Sequence, residues 1–312
     1  MALLKFGRRE ERRDIPRGGD PRIESFLEGY SIEVMPRTAA KIEDFRALLP
    51  AGTRVYIAHI AGTPIEEMVA TAKRLTAEGF PVMPHFPARI IRDTATLEDW
   101  IARYQGEADV HQALVLAGGL AEPVGAFDSA MHLLETGAFD RAGFTRLHVA
   151  GHPEGNRDID PDGSSRNVDT ALRWKQAFSE RTDARMALTT QFAFDAAPII
   201  AWADAIRDAG IDMPVHIGIA GPAKLQTMIK FAVACGVGPS LKVLQKRAMD
   251  VSKLLLPYEP TDVVQALAAH KAAHPEFNIT NVHFFPLGGI KATADWAMHH
   301  GGAAALPAKL AS

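Results

Sequence analysis

Polar and apolar positions follow two periods along this chain. Short β-branched or apolar runs lie at Tyr30–Met35, Arg54–Ile60, Pro81–Phe86, Ala113–Gly118, Leu147–Gly151, Met186–Phe192, Val215–Ala220 and Val282–Phe285. Each has the length of a strand buried on both faces. Between them the spacing turns helical, at Pro64–Glu78, Leu97–Tyr104, Phe127–Glu135, Asn167–Ser179, Ala197–Ala209 and Ala223–Ala234. Several of these segments open with Pro, Thr, Asp or Asn and close with Gly, the usual helix punctuation. The order βαβα demands parallel pairing, and eight such units predict an α/β chain closed into a (βα)8 TIM barrel. Extra helical material, Ser240–Leu256 and Thr261–His274, precedes the last strand, and Lys291–His299 forms the closing helix.

Composition narrows the class. The 312 residues are 47% hydrophobic and 23% charged, an ordinary globular balance. A single catalytic domain is expected over residues 30–312, after a charged arm at 1–29. No apolar run is long enough to cross a membrane, and the N-terminus is charged where a signal peptide would be apolar, so a cytoplasmic, membrane-free protein is expected. The formal net charge of −3 supplies no basic field for nucleic acid. The arm carries Lys5, Arg8, Arg9, Arg12, Arg13, Arg17 and Arg22 interleaved with Glu10, Glu11, Asp14 and Asp20. That mixture reads as a solvated segment or as a contact between subunits of a homo-oligomer. The lone Cys235 excludes an internal disulfide and reads as a small buried hydrophobe.

Chemistry enters at Glu33. An acid in the middle of the apolar run Ser31-Ile32-Glu33-Val34-Met35-Pro36 must be paired or used. In a barrel of this type the carboxyl ends of the strands carry the chemistry. Those ends would gather Glu33, His59, His85, His152 and Gln191 in one mouth. Three histidines invite a metal, but the chain has no His-x-His pair, and the adjacent His299-His300 lies on the last helix, so no metal is expected. The plain alternative for each histidine is a hydrogen-bonded structural role. Gly118-Gly119 and Gly218 would let a flat ligand or its phosphates approach the backbone. Neither G-x-G-x-x-G after a first strand nor G-x-x-x-x-G-K-[ST] is present, which argues against a dinucleotide fold or a P-loop.

Taken in order, several motifs resemble those of the 5,10-methylenetetrahydrofolate reductase family, flavoproteins built on a (βα)8 barrel. They are Ile32-Glu33-Val34-x-Pro36-Arg37-Thr38, Pro84-His85, Pro153-Glu154, Thr190-Gln191-Phe192-x-Phe194-Asp195 and Val282-His283-Phe284-Phe285-x-Leu287. The Thr-Gln motif is the most specific of them. The resemblance implies that Glu33 is the catalytic acid, that His85 contacts FAD, and that Gln191 orients the pterin of a tetrahydrofolate substrate with Phe194 packing on a flat ring. It further implies flavin contacts at His59, His152, Asn156 and the strand end Ala117-Gly118-Gly119, and ribose and diphosphate contacts at Asp169 and Lys175. NADH or NADPH would be the cosubstrate.

The departures are equally specific. The family's Leu-Arg-Gly-Asp is here Leu116-Ala117-Gly118-Gly119, its Tyr-Pro-Glu-x-His is His152-Pro153-Glu154-Gly155-Asn156, and its Leu-Asn-Arg is Leu287-Gly288-Gly289. The substrate-side motifs are kept better than the flavin-side ones, as in a divergent branch. Loss of the carboxylate at Gly119 would ease formation of an anionic reduced flavin, and the physiological direction could be demethylation of methyltetrahydrofolate. On this reading Glu33, held protonated by its apolar strand, protonates the departing folate nitrogen while hydride adds to the methylene carbon. Three other outcomes stay open: a flavin-independent enzyme taking hydride directly from nicotinamide, a non-catalytic folate-binding or partner-binding module, and an unrelated barrel lyase or methyltransferase, against which the order of the motifs argues.

Overall fold

A computed structural model describes residues 19–234 and 257–302. Eight parallel strands close into a barrel in sequence order, β1 pairing with both β2 and β8. They are β1 Ser31–Val34, β2 Arg54–Ile57, β3 Val82–Pro87, β4 Gln112–Leu116, β5 Arg146–Gly151, β6 Arg185–Ala193, β7 Val215–Ala220 and β8 Ile279–Phe285. The helices are α1 Pro21–Leu27, α2 Pro36–Ala39, α3 Ile65–Ala77, α4 Thr94–Ala108, α5 Ala130–Glu135, α6 Ala138–Arg141, α7 Arg166–Ser179, α8 Ala196–Asp208, α9 Leu225–Ala234, α10 Thr261–Ala273 and α11 Ile290–His299. The fold is the (βα)8 barrel that the two periods predict, with α10 as the extra helix before β8. The predicted segment Ser240–Leu256 and Cys235 lie outside the described residues.

Local chemistry starts the helices where the pattern requires. Asp93 accepts from Thr96 N at the start of α4, and Asp195 from Ala197 N at the start of α8. Asp160 takes the backbone N–H groups of Asn167 and Val168, fixing the first turn of α7. The domain boundary shifts from the expected position. Helix α1 buries Ile23, Phe26 and Leu27 against α10 and β8, so residues 21–27, assigned from their charges to an arm, belong to the barrel.

Strand alternation divides the core in two. One parity, including Ile32, Val34, Val55, Ile57, Ala113, Val115, Leu147, Val149, Ile217 and Val282, joins helix residues in the main hydrophobic cluster between sheet and helices. Phe86 sits there with no exposed surface, surrounded by Trp100, Tyr104, Phe139 and Phe144 at ring-centroid distances of 5.1 to 6.5 Å. The other parity faces the barrel axis and is largely polar. Phe86→Ala should therefore lower the unfolding free energy by about 3–5 kcal/mol, seen as a lower urea midpoint at unchanged slope.

Candidate active site

The inner parity brings together side chains from every strand. Ser31 and Glu33 come from β1, Tyr56 from β2, His85 from β3, His148 from β5, Thr189 from β6, His216 from β7 and His283 from β8, while Leu114 of β4 packs on Tyr56 and Met83. Glu33 Oε2 lies 3.3 Å from His85 Nε2 and 3.8 Å from His283 Nε2. Both are ion-pair separations, without the alignment of a close hydrogen bond. His283, fully buried, is oriented by Ser31, whose Oγ is 2.9 Å from His283 Nδ1. Tyr56 packs on the His283 ring at 4.2 Å, and its hydroxyl is 2.7 Å from His148 Nδ1, which Thr189 Oγ1 also meets at 3.1 Å. The His216 ring stands edge-on to His148 at 4.5 Å.

Electrostatics reverse one expectation. Burial pushes the Glu33 carboxyl upward, as the apolar strand suggests, but the imidazoles of His283 and His85 outweigh it and hold the group at about 2. Glu33 therefore rests as a carboxylate, not as the protonated acid inferred from its strand. Its side chain keeps 18% of its surface open toward the mouth, which tempers both effects and leaves the direction unchanged. Burial keeps His148 and His216 neutral, helped by the positive charge of Arg54 and Arg146. His283 is lowered by burial and partly restored by Glu33.

At the carboxyl ends of β6 to β8 the wall becomes aromatic. Phe285 packs on His283 at 4.9 Å and on Phe192 at 5.3 Å, while Phe194 meets Phe192 at 5.6 Å and Tyr258 at 5.5 Å. The Thr-Gln motif forms a bulge in β6, where the register with β7 shifts between Thr189 and Phe192. Thr190 Oγ1 accepts from Gly218 N at 2.8 Å, and Gln191 is exposed, with Oε1 accepting from Phe192 N. A Cβ at Gly218 would lie 2.5 Å from Thr190 O, so that glycine admits the bulged β6 backbone and not a ligand.

The remaining candidates divide. His85 joins Glu33 directly. Gly118 needs its positive φ of 97° and lies against Pro87, where a Cβ would come within 2.9 Å of the ring, while Gly119 leaves the end of β4 open. The carbonyl of Ala117 accepts from Arg89 N. His59, by contrast, bonds Thr63 O at 3.0 Å and stacks on Trp100 at 4.8 Å, a structural arrangement. Asn156 Oδ1 caps its own turn through the N–H groups of Asp158 and Ile159, and Asp169 accepts from Ser165 Oγ. Lys175 is buried and donates from Nζ to Ala150 O at 2.8 Å. Burial lowers its pKa to about 8, and burial with the neighbouring Lys175 charge lowers His152 to about 4. Among the described residues no group of three or more His, Cys, Asp or Glu has the geometry of a metal site. A surface depression of about 450 Å3 lined by Asp140, Gly143, Phe144, Thr145, Asp183 and Arg185 lies at the amino ends of β5 and β6, away from Glu33.

Sequence reasoning missed Tyr56, His148 and His216, and met His283 only inside a motif. The signal was present: each is a polar residue within a buried strand run, the same anomaly that singles out Glu33.

No family model matches the chain. Its backbone is similar to a mandelate racemase/muconate lactonizing enzyme from Bordetella bronchiseptica RB50, with TM-score 0.43 and 14% identity over 88% of this chain and 58% of that one. It is also similar to the carboxyl transferase domain of Rhizobium etli pyruvate carboxylase with 3-bromopyruvate, with TM-score 0.38 and 9% identity over 93% of this chain and 51% of that one. The chain thus spans little more than half the length of either structure. These likenesses concern backbone path alone, and the barrel rests on the strand pairing described above. No helix among the described residues is long and apolar enough to cross a membrane.

The buried imidazoles set a pH dependence with a defined sign. His148, His216 and His283 have lowered native pKa values, so below the ordinary value of 6.5 the unfolded chain binds protons that the native state refuses. Stability is then complete above pH 6.5 and falls as the pH drops, by about 1.4 kcal/mol per pH unit for each such proton. Glu33 adds a loss of the same sign in a lower window, from its ordinary 4.5 down to about 2. Urea unfolding between pH 7.5 and 5 should show this limb, and His216→Gln should flatten it. A stability independent of pH across that range would mean that the column protonates freely in the native state.

Proposed function

We propose that this protein is an oxidoreductase of the 5,10-methylenetetrahydrofolate reductase type, forming 5-methyltetrahydrofolate with NADH or NADPH as electron source. The observation that carries this reading is the pairing of Glu33 with His85 and His283 at the mouth, beside an aromatic wall and the exposed Gln191. The reaction breaks one carbon–nitrogen bond of the folate's five-membered ring, places a proton on the departing nitrogen and adds hydride to the methylene carbon. The nicotinamide ends oxidised.

The residues serve these needs by position. Glu33 rests ionised, so the proton it delivers is drawn through the imidazoles it faces, the three groups acting as one coupled acid. Ser31 fixes the His283 ring through Nδ1 and leaves Nε2 toward the carboxylate. Gln191, at the rim, has an amide suited to the paired donor and acceptor edge of a pterin. The aromatic wall supplies flat apolar area and keeps water from the reacting carbon.

The resemblance implies FAD, which when bound would pass hydride from nicotinamide to folate. The open backbone at Gly119, after β4, and His85 on the neighbouring strand β3 suit a flat ring. The positions assigned to its ribose and diphosphate do not act as a set: Asp169 is engaged by Ser165, and Lys175 turns inward to Ala150 O. That inward lysine favours a second reading, direct hydride transfer from nicotinamide without flavin.

Three measurements test the proposal. A yellow protein with flavin absorption that reduces methylenetetrahydrofolate supports the first form, and a colourless protein with the same turnover supports the second. Folate binding without turnover in either case would overturn the enzyme. Glu33→Gln should slow reduction about 10²–10⁴-fold; if the variant melts early yet turns over normally, the carboxylate is only an ion-pair partner. Gln191→Ala should weaken folate handling by about 1–3 kcal/mol while sparing nucleotide oxidation by artificial acceptors.

A further inference from the structure

The inner residues at the amino ends of the strands form a layer of their own, at the opposite end of the barrel from Glu33. Arg54 opens β2, Gln112 opens β4, Arg146 opens β5 and Arg185 opens β6. Each shares the inward parity of the column above it, two residues before Tyr56, Leu114, His148 and Ala187. Gln112, Arg146 and Arg185 are direct lateral neighbours in the strand register. Arg54 reaches past β3 to donate from Nε to Gln112 Oε1 at 2.8 Å.

Two of these guanidinium groups, Arg54 and Arg146, concentrate positive charge without a carboxylate partner among the described residues. The Gln112 contact is the side-chain hydrogen bond of Arg54, and no carboxylate among the described residues lies within ion-pair distance of it. The half-buried Arg146 guanidinium makes neither a hydrogen bond nor an ion pair with any described residue. Burial, and then the repulsion of Arg54 and Arg185, brings Arg146 down to about 10. Planar guanidinium forks held near one another and partly dehydrated match the geometry of a tetrahedral oxyanion, which can accept from two forks at once.

We propose that the amino-terminal opening of the barrel binds a small multivalent oxyanion of the phosphate type between Arg54 and Arg146, with Gln112 fixing the Arg54 fork. The site is independent of the reading given to Glu33. It has a reach of its own, because Arg54 and Arg146 are among the charges that keep His148 and His216 neutral. An anion here offsets that charge and eases proton uptake in the column, so the two ends of the barrel interior are thermodynamically linked.

Titration of the purified full chain with sodium phosphate at pH 7.5 and constant ionic strength tests this, with melting temperature and heat of binding as readouts. The expected result is saturable binding and a rise in melting temperature of about 2 °C or more. Arg146→Gln should abolish it and Arg54→Gln weaken it at least tenfold. Arg54→Lys, which keeps the charge and loses the fork, replaces Arg54→Gln if that variant does not fold. Glycerol 3-phosphate distinguishes sources: binding equal to that of phosphate points to an esterified ligand reaching in from outside, and binding of phosphate alone points to a free ion. An equal response to sodium chloride, or a phosphate response that survives in Arg146→Gln and the Arg54 variant, overturns the proposal.

Discussion

Alternation of each strand between an apolar outer face and a polar inner one is the constraint on which the rest of this molecule depends. A parallel strand is covered on both sides, so nothing in its surroundings forces the inner face to be polar. Here the outer parity supplies the hydrophobic layer beneath the helices, with Ile32, Ile57, Phe86, Val149 and Phe284 fully or almost fully buried. The inner parity is thereby released from packing duty and given to ionisable groups. A one-residue slip of any strand would exchange the two sets and place imidazoles against helices.

A polar interior of this kind is stabilising only if its members satisfy one another. Ser31 with His283, and Tyr56 with His148 and Thr189, meet that requirement directly. His148 Nε2 and His216 Nδ1 make no hydrogen bond to any described residue, the kind of buried atom that ordered water commonly serves. The carboxylate of Glu33 sits at the top of this column and the guanidinium groups at its base. The axis therefore runs from negative at the mouth to positive at the opposite end, with neutral imidazoles between.

Much of the architecture was legible in the sequence because strand and helix periods are local. The eight runs coincide with the strands to within three residues, the largest differences being β2, which ends at Ile57 where the apolar run continues to Ile60, and β8, which starts at Ile279 where the run begins at Val282. Gln112, Arg146 and Arg185, the first residues of β4, β5 and β6, fall outside the apolar runs because a polar side chain at a strand end carries no hydrophobic signal. The site was legible in part. Glu33 and His85 do meet, but the expected charge state of Glu33 failed because it depended on His283, which arrives from the far end of the chain. Lys175 and Asp169 shared a helix and a plausible role, yet their partners, Ala150 O and Ser165 Oγ, follow from the direction of each side chain, which spacing does not encode.

The seam of the barrel gives the site a place in time as well as in space. Strands β1 and β8 meet through only two register pairs, Ser31 with His283 and Ile32 with Phe284. Ser31 and His283 are 252 residues apart in the chain, so the contact that orients the imidazole beside Glu33 is among the most distant the fold makes. Loop-closure entropy delays such contacts until the intervening structure has formed. During synthesis the first strand waits for the last, and a chain released before β8 has emerged carries Glu33 with one imidazole partner in place of two. Assembly of the Glu33–His85–His283 cluster is thus a late event of folding, and partly folded forms of this protein hold the carboxylate without the imidazole of β8.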